Sequence, residues 1–229
     1  MRHFRYIALI AIAFLIPSMG FAQTPEATSD QTTATGTALD MLPPGDPDTV
    51  SVVAAVVDGD GDFWVVVRNN TEGMVTEIEL KVTVRDEAGK LVAVGNSSEV
   101  RIANLDQGEI AIGRIGGADL SQPFEGLEVE FDVTWEDGEN DDFFPKYDLE
   151  FLEATWSGDR ILGEFRNPSN VLMGNVYLAY ACFDSEGNIT SAGWGSAHGK
   201  LSPGDSTAFQ IGRVNECEHF VVSGYGNED

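Results

Sequence analysis

Carboxylates are the side chains of this sequence with the clearest capacity for chemistry, and one set lies in residues 58–62, Asp-Gly-Asp-Gly-Asp. Alternating carboxylates open a calcium-binding loop, but the Glu that an EF-hand needs at its twelfth position is replaced here by Asn69. Asp-Gly pairs between apolar strands also form tight hairpin turns. We favour the turn, and the alternative is a metal site formed by Asp58, Asp60 and Asp62.

A denser acidic run occupies residues 136–142, where five carboxylates and one amide lie within seven residues. Hard oxygen ligands suit Ca²⁺, and bound ions would stiffen a junction between two domains. We favour a solvated acidic linker, because the run has a suggestive composition but no recognisable ligand spacing. The alternative is a calcium site formed by Glu136, Asp137, Glu139, Asp141 and Asp142, and no other cofactor is predicted.

The serine and histidine residues do not form a recognisable catalytic motif. Ser196 and His198 are close in sequence, but the Gly-x-Ser-x-Gly elbow of many hydrolases is missing around them. We therefore predict a protein without enzymatic activity. Trp194, which is flanked by two glycines, is the candidate for an exposed aromatic side chain that could stack on a sugar ring.

The amino terminus has the pattern of a secretory signal. Arg2 and Arg5 introduce the apolar run 6–16, and residues 20–22 supply small side chains for cleavage. This run is shorter than the roughly 20 residues that span a bilayer. We predict cleavage of a signal peptide comprising residues 1–22, with an uncleaved anchor as the alternative. The mature chain is expected in the periplasm or outside the cell, without insertion into a membrane.

The charge of the chain excludes one large class of partners. Thirteen Lys and Arg residues face 38 Asp and Glu residues, which gives a formal net charge of −25. Nucleic-acid affinity comes largely from neutralising phosphates with Lys and Arg, so nucleic-acid binding is not expected. Most of this charge is expected to serve solubility.

The two cysteines, Cys182 and Cys217, both lie in the second half of the chain. An even pair within one domain of an exported protein favours a disulfide. Two buried free thiols are the alternative. A metal or redox role is not favoured, because the sequence has no Cys-x-x-Cys motif.

The chain repeats itself after a Thr-, Ala- and Pro-rich segment, residues 23–47, that we interpret as a flexible, disordered linker. At an offset of 98 residues, Arg68-Asn69 recurs as Arg166-Asn167 and Asp86 recurs as Asp184. The repeat predicts one domain at residues 48–135, an acidic linker at 136–146 and a second domain at 147–229.

Each copy has the alternation of short antiparallel strands. Ile78, Leu80, Val82 and Val84 alternate with polar residues, which predicts a strand with one buried and one solvated face. In the second copy the outward positions are more apolar, so we expect that face to be partly covered. The apolar outward residues are Tyr177, Ala179 and Ala181.

We count about seven strands per copy, with turn signals every 8 to 12 residues. Separate strands are predicted at 90–95 and 98–105, and again at 188–194 and 196–201. The fold class is therefore all-β, two tandem immunoglobulin-like antiparallel β-sandwiches after a signal peptide and a flexible linker. A barrel with a similar number of strands is the alternative.

The second copy resembles the FxLYD domain, a small β-sandwich of secreted and cell-surface prokaryotic proteins. The resemblance lies in Arg166-Asn167, residues 180–184 (Tyr-Ala-Cys-Phe-Asp), Glu186-Gly187, residues 201–206 (Leu-Ser-Pro-Gly-Asp-Ser) and Phe209. Cys182 and Phe183 depart from the Leu and Tyr of the family signature, and the first copy departs further. The resemblance implies an architecture and a bacterial extracytoplasmic location, but no catalytic activity.

Two functions follow as hypotheses. The first is a secreted non-catalytic module that binds a protein or a cell-surface glycan, or that spaces other parts. The second is a small-ligand binder, with calcium at the acidic junction between the domains.

Overall fold

The computed structural model describes residues 2–8, 38–101, 104–117, 126–138, 146–212, 214 and 217–228. Within these ranges the chain forms fourteen β-strands and one short 3-10 helix, Ala38–Met41. The first half contains β1 Arg2–Ala8, β2 Val50–Val57, β3 Phe63–Asn69, β4 Val75–Arg85, β5 Leu91–Arg101, β6 Ile110–Gly116 and β7 Glu128–Asp137. The second half contains β8 Tyr147–Asp148, β9 Glu150–Ser157, β10 Arg160–Arg166, β11 Met173–Phe183, β12 Ile189–Leu201, β13 Ser206–Gly212 and β14 His219–Glu228.

The first half forms one antiparallel sheet in the order β1-β7-β4-β5-β6-β3-β2. β5 lies in the middle of this order and joins its two parts, because residues 91–96 pair with β4 and residues 96–101 pair with β6. The sheet therefore folds over itself and encloses a core between β7-β4-β5 and β6-β3-β2. This core includes Phe63, Val65, Leu80, Val82, Phe131 and Trp135.

The second half forms two sheets, β13-β10-β9 and β12-β11-β14-β8, which enclose a second core. The predicted disulfide is confirmed: Cys182 on β11 is bonded to Cys217, which immediately precedes β14, with the Cα atoms 5.1 Å apart. Both cysteines are buried in this core. The disulfide therefore joins the segment that precedes β14 to β11 inside the sandwich core.

The two halves have the same strand order, which explains the sequence repeat. β7-β4-β5 corresponds to β14-β11-β12, and β6-β3-β2 corresponds to β13-β10-β9. The predicted fold class is confirmed as all-β with antiparallel sheets packed as sandwiches. Each sheet takes its strands from one half of the chain, and no described pairing joins the halves.

Two predicted strand boundaries were wrong, one in each copy, between 90–95 and 98–105 and between 188–194 and 196–201, since each of these pairs of predicted strands is one continuous strand. Residues 91–101 form the single strand β5, and residues 189–201 form the single strand β12. No turn interrupts either strand, and in β5 a register shift between Ser97 and Glu99 bends the strand without ending it.

The predicted flexible linker, residues 23–47, was wrong at its carboxyl end. Within residues 38–47, Leu42 is only 5% exposed, whereas Pro43, Pro44, Asp46 and Pro47 are exposed. The Arg68 guanidinium donates hydrogen bonds to the carbonyl oxygens of Leu39 and Pro43, at 2.9 and 3.2 Å. The average composition of the segment concealed its apolar end, which buries enough surface to become ordered. Residues 23–37 lie outside the described residues.

The start of the predicted signal peptide is a strand in the structure. β1 pairs antiparallel with β7 over residues 129–135. Residues 9–22 lie outside the described part of the chain, so cleavage of the signal stays a prediction. Among the described residues, no helix has the length and apolar character needed to cross a bilayer.

Candidate functional site

The alternative metal ligands Asp58, Asp60 and Asp62 lie in the hairpin turn between β2 and β3. The Asp58 carboxylate accepts hydrogen bonds from the backbone N–H groups of Asp60 and Asp62, at 2.9 and 3.1 Å. Its other oxygen accepts a hydrogen bond from the indole N–H of Trp64, at 3.0 Å. Asp62 pairs with the Arg114 guanidinium. Asp58 and Asp62 therefore have structural partners, as expected for the favoured turn.

The same type of turn recurs at the two positions related by the offset. The Asp86 carboxylate accepts hydrogen bonds from the N–H groups of Ala88 and Lys90, at 3.0 and 2.8 Å. The equivalent Asp184 binds the backbone after it in the same way, and its carboxyl pKa is lowered by the hydrogen bond from the Asn188 side chain. The repeated aspartates therefore cap turns.

Two buried asparagines, Asn69 and Asn167, form a second repeated motif. The Asn69 amide donates hydrogen bonds to the carbonyl oxygens of Gly73 and Leu105, both at 2.8 Å. Its oxygen accepts from the N–H and the hydroxyl of Thr71, at 2.9 and 2.7 Å. Asn167 repeats this pattern with Val171, Leu201 and Ser169. Both amides use their full hydrogen-bonding capacity inside the protein, so we call these motifs the asparagine corners.

The acidic junction is only partly described. Glu136 and Asp137 are exposed at the end of β7, whereas Glu139, Asp141 and Asp142 lie outside the described residues. Asp137 lines an open cleft of about 490 Å³ together with Asp48, Thr71, Glu72, Gly73, Met74 and Gly138. The structure therefore places two of the five predicted calcium ligands and leaves the predicted site as a whole untested.

A different group of carboxylates comes together at the junction. The side-chain oxygens of Asp106, Glu109 and Asp148 lie within 4.8 Å of one another. The Lys146 ammonium binds two of these residues, at 2.8 Å from Glu109 and 3.1 Å from Asp148, and the Lys146 side chain is only 8% exposed. We call these four residues the lysine clasp. It connects the first repeat, through Glu109, to the start of the second.

The positive charge of Lys146 is stabilised by the carboxylates of Glu109 and Asp148. Burial lowers the pKa of Lys146, but the hydrogen bond and the charge of Glu109, together with the charge of Asp148, outweigh this effect. The pKa of Lys146 is therefore raised above its ordinary value. Sequence reasoning missed this cluster, because its residues are far apart along the chain.

Buried apolar residues of the two repeats contact each other across a surface that we call the inter-repeat interface. Three outward residues of β11 are covered there, with Ala179 2% exposed and both Ala181 and Phe183 0% exposed, whereas Tyr177 is half-buried. The three covered residues pack with buried residues of the first repeat, whose outward side chains on β3 and β6 include Val66 and Ile112. The predicted coverage of this face of the second repeat is confirmed.

Trp194 belongs to the inter-repeat interface and does not form a solvent-facing platform. Its ring packs edge-to-face against Trp64, with the ring centroids 4.9 Å apart. Its indole N–H donates a hydrogen bond to the carbonyl oxygen of Ile112, at 3.2 Å. The expectation of an exposed aromatic was wrong, because Trp194 is half-buried against the first repeat. The flanking glycines make room within the second repeat, where Gly193 faces Tyr180 and Gly195 faces Ile211.

The Asp-Gly turn supports this contact from the first repeat. Asp58 fixes the Trp64 indole, and the Arg114 guanidinium, held by Asp62, lies 5.8 Å from the centre of the Trp64 ring. Cation–π contact and the indole hydrogen bond both restrict the ring. Two residues considered as calcium ligands therefore orient the tryptophan that meets Trp194.

Comparisons with known proteins leave the family undetermined. No protein-family model and no curated protein matches the chain, so the FxLYD resemblance stays a prediction. Among solved structures, the chain is similar to a calcium-binding mutant of Bacteroides uniformis β-glucuronidase 2, at 12% identity and a TM-score of 0.20 over 71% of this chain and 23% of that chain. A second Bacteroides uniformis β-glucuronidase structure gives the same identity and TM-score over 82% of this chain and 24% of that chain. The chain thus spans about a quarter of the length of these enzymes, and similarity at this level carries no functional argument.

Proposed function

We propose that this chain is a non-catalytic module of the periplasm or the cell exterior. Its two sandwiches act as one rigid unit that spaces other parts or presents a surface to a protein or a cell-surface glycan. The inter-repeat interface carries this proposal, because a fixed geometry between domains is what a spacer or a presenting module requires.

The interface has the composition of a permanent contact. Residues of both repeats are completely buried in it, including Val66 and Ile112 from the first and Ala181 and Phe183 from the second. Relative domain motion is the default where an interface is small and polar, whereas a hydrophobic interface restricts it. The lysine clasp adds an ion pair beside the chain segment that joins the repeats.

The polar groups that suggested other chemistry support the same function. Asp58 and Asp62 hold Trp64 and Arg114, and Lys146 neutralises carboxylates at the junction. These side chains contribute to the rigid arrangement of the repeats. The calcium hypothesis at residues 136–142 stays a prediction, because only Glu136, Asp137 and Gly138 of that segment are described.

The rigidity is tested by placing a charge at the centre of the interface. The variant Ala181→Arg introduces a buried guanidinium, which we expect to separate the repeats. X-ray scattering should show an increased maximum dimension, and calorimetry should resolve two thermal transitions. Thr83→Arg is the matched control, because Thr83 has the same position in the first repeat but is only half-buried. It should leave both measurements unchanged.

The location is tested separately by exporting the full chain from a bacterial host and determining its amino terminus by mass spectrometry. Recovery outside the cytoplasm with an amino terminus near residue 23 is expected. An unchanged scattering profile for Ala181→Arg would contradict the rigid unit, and recovery only from the cytoplasm would contradict the proposed location.

A further inference from the structure

The outer edge of β7 is occupied by a strand from a distant part of the chain. β7 pairs with β4 on its inner side and with β1 on its outer side. The pairing with β1 runs antiparallel without interruption from Arg2 opposite Trp135 to Ala8 opposite Val129. In the described residues, this edge of the first repeat therefore has the geometry of a strand-binding site.

The strand order explains why this position is open to a strand from elsewhere. A seven-stranded immunoglobulin sandwich has its strands in the sheets ABED and CFG. β2, β3, β6 and the second half of β5 follow the order ABED, while β4 and β7 take the places of C and F. β1 lies beside β7, where the last strand, G, would lie. The six strands of the repeat itself leave that place empty.

The sequence of β7 specifies the chemistry of its occupant. The burial pattern alternates, with Val129, Phe131 and Val133 buried and Glu130 and Asp132 on the other face. Residues directly opposite each other in an antiparallel pair lie on the same side of the sheet.

The register of β1 matches this alternation. Phe4, Tyr6 and Ala8 are paired with three of the four buried positions of β7, Arg2 is paired with the fourth, Trp135, and Arg5 is paired with Asp132. The edge therefore fits an extended segment in which apolar residues alternate with residues that are basic or uncharged.

We propose that the edge of β7 is a strand-acceptor site, which binds an extended segment of a partner protein once the leader has been removed. This inference rests on the proposed export, because cleavage after residue 22 removes β1 and exposes the main-chain N–H and C=O groups of β7. Main-chain hydrogen bonds supply affinity in such a site, and alternate side chains supply specificity. An unpaired edge also promotes association between chains, which a cognate strand would prevent.

The test uses the exported chain, with its amino terminus determined by mass spectrometry, and a synthetic peptide of residues 1–8 as the probe. Calorimetry should detect binding, and hydrogen exchange should show slower exchange in residues 129–135 of β7. In the peptide, Arg5→Glu should weaken binding roughly fivefold, since cross-strand charge pairs contribute up to about 1 kcal/mol.

A charge exchange makes the test specific. Asp132→Lys in the protein should bind the Arg5→Glu peptide better than the original peptide, because the opposite charges are restored. Glu79→Lys is the matched control, because Glu79 is exposed and lies on the inner strand β4. It should change the affinity less than twofold, and circular dichroism should show that both variants fold.

Three results would overturn the proposal. The first is that the peptide does not bind the processed chain. The second is that the peptide slows hydrogen exchange in β14 and not in β7. The third is that Asp132→Lys binds the Arg5→Glu peptide no better than the original peptide. Recovery of a chain that retains residues 2–8 would also overturn it, since β1 would then be a permanent strand. The rigid-module proposal would survive each of these outcomes, because its own test depends on the inter-repeat interface.

Discussion

β4 and β11 occupy the same place in the two repeats, yet their outward faces have opposite character. The core-facing residues correspond at the offset of 98 residues, with Leu80 matching Leu178 and both almost completely buried. On the outward face, Lys81, Thr83 and Arg85 are replaced by Ala179, Ala181 and Phe183. The second set is buried against the first repeat.

This difference shows what a tandem repeat preserves and what it changes. The core-facing phase is shared because each repeat must fill its own sandwich. The outward phase depends on what each repeat has next to it. Identical positions with different polarity therefore identify the surface where one repeat meets the other.

The opposite sheets confirm this interpretation from the other side of each sandwich. Val66 on β3 is completely buried in the inter-repeat interface. Its counterpart at the offset of 98 residues is Glu164 on β10, which is only half-buried. A charged residue at this position does not favour a third repeat docking in the same manner.

The largest expected difference between the repeats comes from the disulfide, because the first repeat has Val84 where the second has Cys182. Replacing the pair by Cys182→Val and Cys217→Ala should destabilise the second repeat by roughly 3 to 4 kcal/mol, since the cross-link closes a sequence separation of 35 residues. Urea unfolding measures the loss, and hydrogen exchange should locate it in β11 and β14. A loss below about 1 kcal/mol would show that the valine core suffices in both repeats.

The asparagine corners should make the two repeats behave alike. Asn69→Ala and Asn167→Ala each leave buried carbonyl and N–H groups without partners, so each should cost about 2 to 3 kcal/mol of unfolding free energy. Asn70→Ala is the control, because Asn70 makes one exposed hydrogen bond to the Asp46 carbonyl oxygen. Its effect should stay within about 0.5 kcal/mol. Strongly unequal losses at the two corners would contradict their equivalence.

The predictable part of this protein is the part that depends on local pattern. Alternation in β4 and β11, the Asp-Gly turns and the cysteine pair all followed from the residue types and their spacing. Two strand boundaries were misplaced because β5 and β12 each continue through a segment in which the sequence pattern predicts two strands. The exposed role of Trp194 failed because burial between repeats depends on contacts over long sequence distances. The lysine clasp was missed for the same reason, since its members lie at residues 106–109 and 146–148.

The lysine clasp tests how the two repeats are joined. Lys146→Gln removes the ammonium between Glu109 and Asp148 and should lower the unfolding free energy by about 1 to 2 kcal/mol. The loss is smaller than for a fully buried pair because Asp148 is 61% exposed.

The same variant should also acquire a response to calcium. Three carboxylates would face one another without a counter-charge, so millimolar Ca²⁺ should raise the melting temperature of Lys146→Gln relative to EDTA. The unaltered clasp should show no such shift, since the ammonium occupies the place of a cation. A calcium-dependent melting temperature of the unaltered chain would instead indicate a calcium site at residues 136–142. The double variant Asp141→Asn, Asp142→Asn would test that segment.

The smallest expected effect concerns pH and again separates the repeats, because Tyr180 occupies the position of Val82. Burial raises the pKa of the Tyr180 phenol. A raised pKa in the folded state gives stability that is complete below the unfolded pKa, about 10, and is lost as the pH rises through the folded pKa. The raised pKa values of Lys146 and of Tyr147, the latter raised by burial and by Glu228, act in the same direction, so Lys146→Gln combined with Tyr147→Phe provides a background in which Tyr180 is isolated. In that background, Tyr180→Phe should flatten the fall of the urea midpoint between about pH 9.5 and 11.5. An equal slope with and without the hydroxyl would mean that the alkaline response comes from elsewhere, and that the two repeats differ at this position in volume alone.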